Sequence, residues 1–170
     1  MQNICSFSDC RKYRYTLLHQ WDELFERRRV IFVCLNPSTA DENQLDPTLK
    51  RIKSFSERLG ANEFTMLNIF AYRATDPKEM KVVDDPVGPA NDALIQQAIS
   101  EAYELNHGRL DIIAGWGNHG LHRDRQVAFL ELMNPYRKRP GLNISCLGKN
   151  ANHTPKHPLY IAANRDFEAL

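Results

Sequence analysis

The sequence predicts an α/β fold: a three-layer α/β/α sandwich on a central four-stranded parallel sheet, with residues 1–170 as one domain and residues 1–29 as an N-terminal edge extension. Three observations predict it. Short apolar runs alternate with longer amphipathic ones in the order β-α-β-α-β-α-β, the pattern of a parallel sheet with helices on both faces. The apolar runs lack the polar alternation of half-exposed strands, so they read as strands buried on both sides. A chain of 170 residues is also long enough to bury a core between helices and sheet.

The elements follow in order. Residues 30–35 (VIFVCL) form the first strand, which stops at Asn36-Pro37-Ser38. Asp46 then reads as a helix N-cap and Pro47 as the first helical residue, where its missing N–H costs nothing. Leu49, Ile52, Phe55 and Leu59 make that helix's apolar stripe, and Gly60 stops it. The second strand covers residues 64–70, and a proline-containing loop spans 76–89. A helix over 91–105 turns Leu94, Ala98, Ala102 and Leu105 inward. The third strand, 110–114, ends in Gly115-Trp116-Gly117. The third helix, 126–133, points Val127, Leu130 and either Met133 or Phe129 inward. The fourth strand, 142–147, is stopped by Gly148. Before this unit, residues 13–18 are expected to add an edge strand and residues 21–25 a short helix. Right-handed crossovers leave few topologies for such a chain.

Composition narrows the function classes. There is no run of eighteen apolar residues, so no membrane span and no membrane partner are expected. The opening MQNICSFSDCRKYRY lacks an apolar segment followed by a small-residue cleavage site, so a cytoplasmic protein is expected. Of the four cysteines, Cys34 and Cys146 sit in apolar runs and read as core residues. Cys5 and Cys10 lack a second close pair of metal-ligand type, so reduced thiols are expected rather than a metal site, and no cofactor is implied. The net charge of +1 gives no argument for nucleic acid. The basic clusters Arg27-Arg28-Arg29, Lys50-Arg51-Lys53, Arg123/Arg125 and Arg137-Lys138-Arg139 read as solvated faces.

Position carries the functional signal. Open α/β sheets bind ligands outside the carboxyl ends of their strands, where strand order reverses. Every strand here leaves the sheet into polar groups: Asn36, Pro37, Ser38, Thr39, Asp41 and Asp46 after the first, and Asn68, Tyr72, Arg73, Thr75 and Asp76 with the second. Trp116, Gly117, Asn118 and His119 follow the third, and Lys149, Asn150, His153, His157 and Pro158 the fourth. The amino ends carry what read as ordinary surface residues, Arg29, Glu63 and Asn143. Each group also has a plain reading. Asn36 to Thr39 make a good turn, Trp116 suits a core or a rim, and His157 suits a loop. Phosphate-loop, nucleophile-elbow and zinc-helix motifs are missing.

Several strings together resemble a known family. They are Leu35-Asn36-Pro37-Ser38-Thr39-Ala40-Asp41, Asp46-Pro47-Thr48, Asn68-Ile69-Phe70-Ala71, Arg73-Ala74-Thr75-Asp76-Pro77, Pro86-Val87-Gly88-Pro89, Trp116-Gly117 and His157-Pro158-Leu159-Tyr160. On these the chain is identified as a member of the domain of unknown function family 1643, from about Cys10 to the C-terminus. More distantly, the same positions are similar to the uracil-DNA glycosylase superfamily. That resemblance implies a glycosylase-like fold and N-glycosidic bond hydrolysis. Asn36 would position water, Asn68 would bond the edge of an extruded base, and His157 would stabilise charge on the base carbonyl. Leu159 or Tyr160 would fill the gap in the base stack. An amide replaces the water-activating carboxylate of the most active glycosylases. The Tyr and His of their first motif and the Ser of their last are absent.

The expected ligand is therefore a nucleobase, in DNA or a nucleotide. Asn36 and His157 are the expected catalytic residues, and Pro37, Ser38, Thr39, Asp41, Asn68, Arg73, Trp116, Gly117, Pro158, Leu159 and Tyr160 the binding residues. The alternatives are a noncatalytic nucleotide- or nucleic-acid-binding module, in phage or mobile-element biology, and a small-molecule hydrolase using Asp41 or Asp46 as base.

Overall fold

A computed structural model describes residues 2–22, 24–39 and 46–170. Its strands are β1 (Gln2–Phe7), β2 (Arg14–Gln20), β3 (Arg29–Cys34), β4 (Glu63–Asn68), β5 (Leu110–Ala114), β6 (Leu142–Cys146) and β7 (Glu168–Ala169). Its helices are α1 (Pro47–Arg58), α2 (Pro77–Lys81), α3 (Asn91–Leu105), α4 (Arg125–Leu132) and α5 (Asn134–Arg137), with 3-10 turns at Asn118–Asp124 and Pro158–Tyr160.

The sheet corrects the sequence expectation. It is a seven-stranded mixed sheet in the order β1-β2-β4-β3-β5-β6-β7, not a four-stranded parallel one. Only the pairings β4 with β3, β3 with β5 and β5 with β6 run parallel. β1 and β2 add an antiparallel hairpin on one side, through β2 and β4, and β7 closes the other side antiparallel to β6. The strand expected at 13–18 is β2, and it does not form the edge: β2 sits inside the sheet, and β1 is its edge. The reason is legible afterwards. β2 alternates buried and half-buried residues, as an antiparallel strand can, whereas β7 is two residues long and leaves no periodic signal.

β3 fixes the layers. Ile31 and Val33 face one core with α3, while Val30, Phe32 and Cys34 face a second core with α1. In α1 the stripe Leu49, Ile52 and Phe55 is buried as its spacing requires. Ser56, whose hydroxyl donates to the Ile52 carbonyl at 2.9 Å, completes it in place of the half-buried Leu59. α3 is rotated from its expected stripe: Asn91, Ile95, Ala98, Ile99 and Ala102 are buried, and Leu94 and Leu105 only partly. In α4, Phe129 and Arg125 are buried and Val127 is 53% exposed. The described part of 21–25 is not helical: Trp21 packs on the α1 core but Leu24 and Phe25 are exposed, too little burial to offset a helix nucleus.

At the amino ends, Glu63 is a second correction. It is fully buried, and its carboxylate accepts from Arg29 Nε at 2.6 Å and from Arg27 Nε at 2.9 Å. These pairs fasten the chain entering β3 to the start of β4. At the other end, β3 leads to β4 on one side and, through α3, β5 lies on the other. Strand order reverses there, above the carboxyl ends of β3 and β5.

Candidate functional site

A pocket of about 570 Å³ lies at that reversal. β3 delivers Leu35, Asn36 and Ser38 to its wall, and β5 delivers Trp116 and Gly117. Thr48 comes from the first turn of α1, Thr75 and Pro77 from the start of α2, and Asn150, His157 and Tyr160 from the segment after β6.

Asn36 is held by its nitrogen. The amide Nδ2 donates to the Ala74 carbonyl at 2.8 Å and the Pro37 carbonyl at 3.2 Å. Carbonyls only accept, so the nitrogen must be the end that faces them. Oδ1 is left as the group available to the pocket, a hydrogen-bond acceptor. The surrounding loops are stitched together by Ala74 N donating to Pro37 O at 2.9 Å and by the Thr39 and Thr75 hydroxyls, 2.7 Å apart.

His157 is held the opposite way. It caps the 3-10 turn Pro158–Tyr160, and its Nδ1 accepts from the Leu159 N–H at 3.3 Å. An accepting Nδ1 carries no proton, so the ring's hydrogen is on Nε2. Burial pushes the imidazole's pKa down against the opposing pull of Asp46, so the ring is neutral at pH 7 and Nε2 is a donor. His119, also in the wall, is pushed down by burial and by Lys81, with Asp76 opposing. The described wall thus holds no Asp, Glu, Lys or Arg, and both of its histidines are pushed toward the neutral form.

Two glycines make this geometry possible. A Cβ on Gly115 would lie 2.7 Å from Pro158 Cδ, so only glycine lets the turn bearing His157 settle on the end of β5. A Cβ on Gly120 would lie 2.1 Å from Trp116 Cδ1. Trp116 is thereby locked in the wall, its Nε1 donating to Gln126 Oε1 at 2.7 Å and its ring edge-on to Phe129. Fully buried Thr154 braces the far side, donating to Asn118 Oδ1 at 3.0 Å and accepting from Asn150 Nδ2 at 2.9 Å.

The other expected site residues divide. Ser38, Gly117 and the 84% exposed Tyr160 line the pocket with Asn36, Trp116 and His157. Pro37 and Pro158 are buried behind the wall, Leu159 serves through its backbone N–H, and Thr39 sits beside Thr75. Arg73 lies away from the wall, its guanidinium over the Phe7 ring at 5.1 Å. Asp41 lies outside the described residues. Asn68 is buried but does not line the pocket: it pairs in register with Cys34, and its Oδ1 has no hydrogen-bond partner among the described residues. Leu35, Thr48, Ala74, Thr75, Pro77, Asn118, His119 and Asn150 complete the wall beyond the expected site residues. Their shared signal was adjacency to strand ends or helix starts. Burial raises the Cys34 thiol to about 12, which makes it an inert core residue. Among the described residues no group of three or more His, Cys, Asp or Glu could hold a metal ion.

The lowered histidines predict how stability varies with pH. His19 is 2% exposed, its Nδ1 is 2.6 Å from Asn3 Oδ1, and its ring stacks near Trp21. Burial chiefly holds its folded-state pKa below the ordinary 6.5. The unfolded chain then binds more protons, so the full contribution is present above about pH 6.5 and falls as pH drops toward the folded value. The slope for this one group is at most about 1.4 kcal/mol per pH unit. Urea unfolding from neutral to mildly acidic pH should show this loss, and His19→Gln should flatten it.

Fold and site together define an α/β protein with a pocket free of Asp, Glu, Lys and Arg side chains at the strand-order reversal of a mixed sheet. The chain belongs to the protein family of unknown function DUF1643, whose family model matches residues 14–159. No curated protein and no solved structure matches it. The similarity to uracil-DNA glycosylases gains no support from these comparisons, and the seven-stranded mixed sheet replaces the sheet expected from it. Among the described residues, no helix is long and apolar enough to cross a membrane.

Proposed function

We propose that the pocket recognises the polar edge of a nucleobase. The observation that carries this reading is the pairing of a fixed acceptor, Asn36 Oδ1, with a fixed donor, His157 Nε2–H, in one uncharged pocket. Nucleobase edges present a donor and an acceptor side by side, and an uncharged site accepts them without stranding a buried charge. At about 570 Å³ the pocket is within the usual range of small-molecule sites.

The same groups support hydrolysis of the N-glycosidic bond. A neutral imidazole N–H aimed at a base carbonyl stabilises the negative charge that builds there as the bond to the sugar breaks. In a hydrolytic role Asn36 Oδ1 would orient the attacking water instead of reading the base edge. The described wall contains no carboxylate to activate that water, which favours recognition without turnover as the second reading. Equilibrium binding and free-base release should be measured on nucleosides and on DNA carrying uracil, mismatched or modified bases. Binding lost in Asn36→Ala and His157→Ala proteins supports the site. Base release above those variants supports catalysis, and its absence across the panel leaves recognition alone. Binding unaffected by either substitution would remove the proposal.

A further inference from the structure

We propose that the pocket takes its ligand as an uncharged monomer, a free base or nucleoside, and rejects the phosphorylated forms, nucleic acid included. This rests on the nucleobase reading above and narrows it.

Phosphate is ordinarily held by arginine or lysine, or by open N–H groups at the start of a helix. The described wall offers no cation. The helix starts that reach it each carry a side-chain cap. Asp46 Oδ1 accepts from Leu49 N at 2.8 Å at the start of α1, two residues before Thr48 in the wall. Asp76 Oδ1 accepts from Lys78 N at 2.8 Å at the start of α2, between the wall residues Thr75 and Pro77. His157 caps the third. Two of these three caps are carboxylates, and both are near enough to influence the pocket's imidazoles.

The neighbouring cations lie outside the wall. Lys149 lines a separate hollow of about 310 Å³ behind Trp116, together with Arg137. Lys156 Cδ packs over Gly148, 3.7 Å from where a Cβ would stand. Lys81, the cation that lowers His119, lies at the end of α2 and outside the wall. Guanidinium groups gather instead at the other end of the sheet, where Arg27, Arg28 and Arg109 surround a hollow of about 480 Å³. A phosphate entering the pocket would shed water and find no cation in the described wall, with Lys81 and Asp76 opposing each other near His119 and Asp46 acting on His157.

The test is a binding series on the full chain with the common nucleosides, their 5′-monophosphates and a mixed-sequence single-stranded DNA oligomer. At least one nucleoside is expected to bind, with its monophosphate at least about tenfold weaker and the oligomer at background. Asp46→Asn, which still caps α1, should raise the monophosphate's affinity relative to the nucleoside's by several-fold. A defect in folding would not produce such a gain. A monophosphate or oligomer bound as tightly as the nucleoside overturns this inference and leaves the nucleobase reading standing. If no nucleobase compound binds at all, the nucleobase reading fails and this inference with it.

Discussion

Replacing His157 with asparagine will lower affinity for a nucleobase ligand by about 10- to 100-fold while leaving the fold intact. Asparagine keeps the cap, because its Oδ1 can accept from Leu159 N as the imidazole Nδ1 does. It cannot place an N–H where Nε2 stands. Losing one buried hydrogen bond, with the ligand's acceptor left unpaired, costs about 1.5–3 kcal/mol, which sets that range. Calorimetric titration beside a thermal melt separates the two effects. Unchanged affinity would mean the imidazole does not touch the ligand. A collapsed melting temperature would mean the cap fails with asparagine, and His157→Gln would then be measured in its place.

Glu63→Gln is expected to produce the largest loss of stability, about 3 kcal/mol. The carboxylate is fully buried, and the Arg29 side chain paired with it is only 11% exposed. Glutamine keeps the volume but removes the charge, stranding a guanidinium in a poorly solvated place. Asp111→Asn is the contrasting control: its contact with Arg28 is a loose 3.9 Å between partly exposed groups, so a change below about 0.5 kcal/mol is expected. Urea denaturation measures both. Ligand affinity in folded Glu63→Gln protein should stay unchanged, because β4 puts Glu63 roughly 17 Å from its carboxyl end.

These two residues show what the sequence could and could not convey. Asn36, Trp116 and His157 were legible because an apolar run that stops abruptly at a polar residue marks a strand end, and strand ends in such sheets face ligands. Asn68 satisfied the same rule and still fell outside the wall. The side-chain period of two places it with Phe64 and Met66, on the α1 side of β4, and one-dimensional spacing cannot say which side borders the pocket. Glu63 was misread because a charged residue at a strand start is normally solvated. Its burial depends on Arg27 and Arg29 arriving from 34 to 36 residues earlier. Thr48 and Pro77 entered the wall because α1 and α2 begin at its rim, a matter of helix placement rather than residue type. The sheet's width was hidden for a related reason. β1 and β7 owe their conformation to the partners they pair with, and neither shows the apolar periodicity by which the inner strands were recognised.

The most direct measurement is the ring ¹⁵N–¹H correlation spectrum of the histidines at neutral pH, recorded before and after adding nucleosides. His157 should show an unprotonated Nδ1 and a protonated Nε2, and its Nε2 signal should move on addition while that of the distant, exposed His107 stays fixed. A charged or Nδ1-protonated His157, or nucleosides that move no histidine of the pocket, would contradict the account.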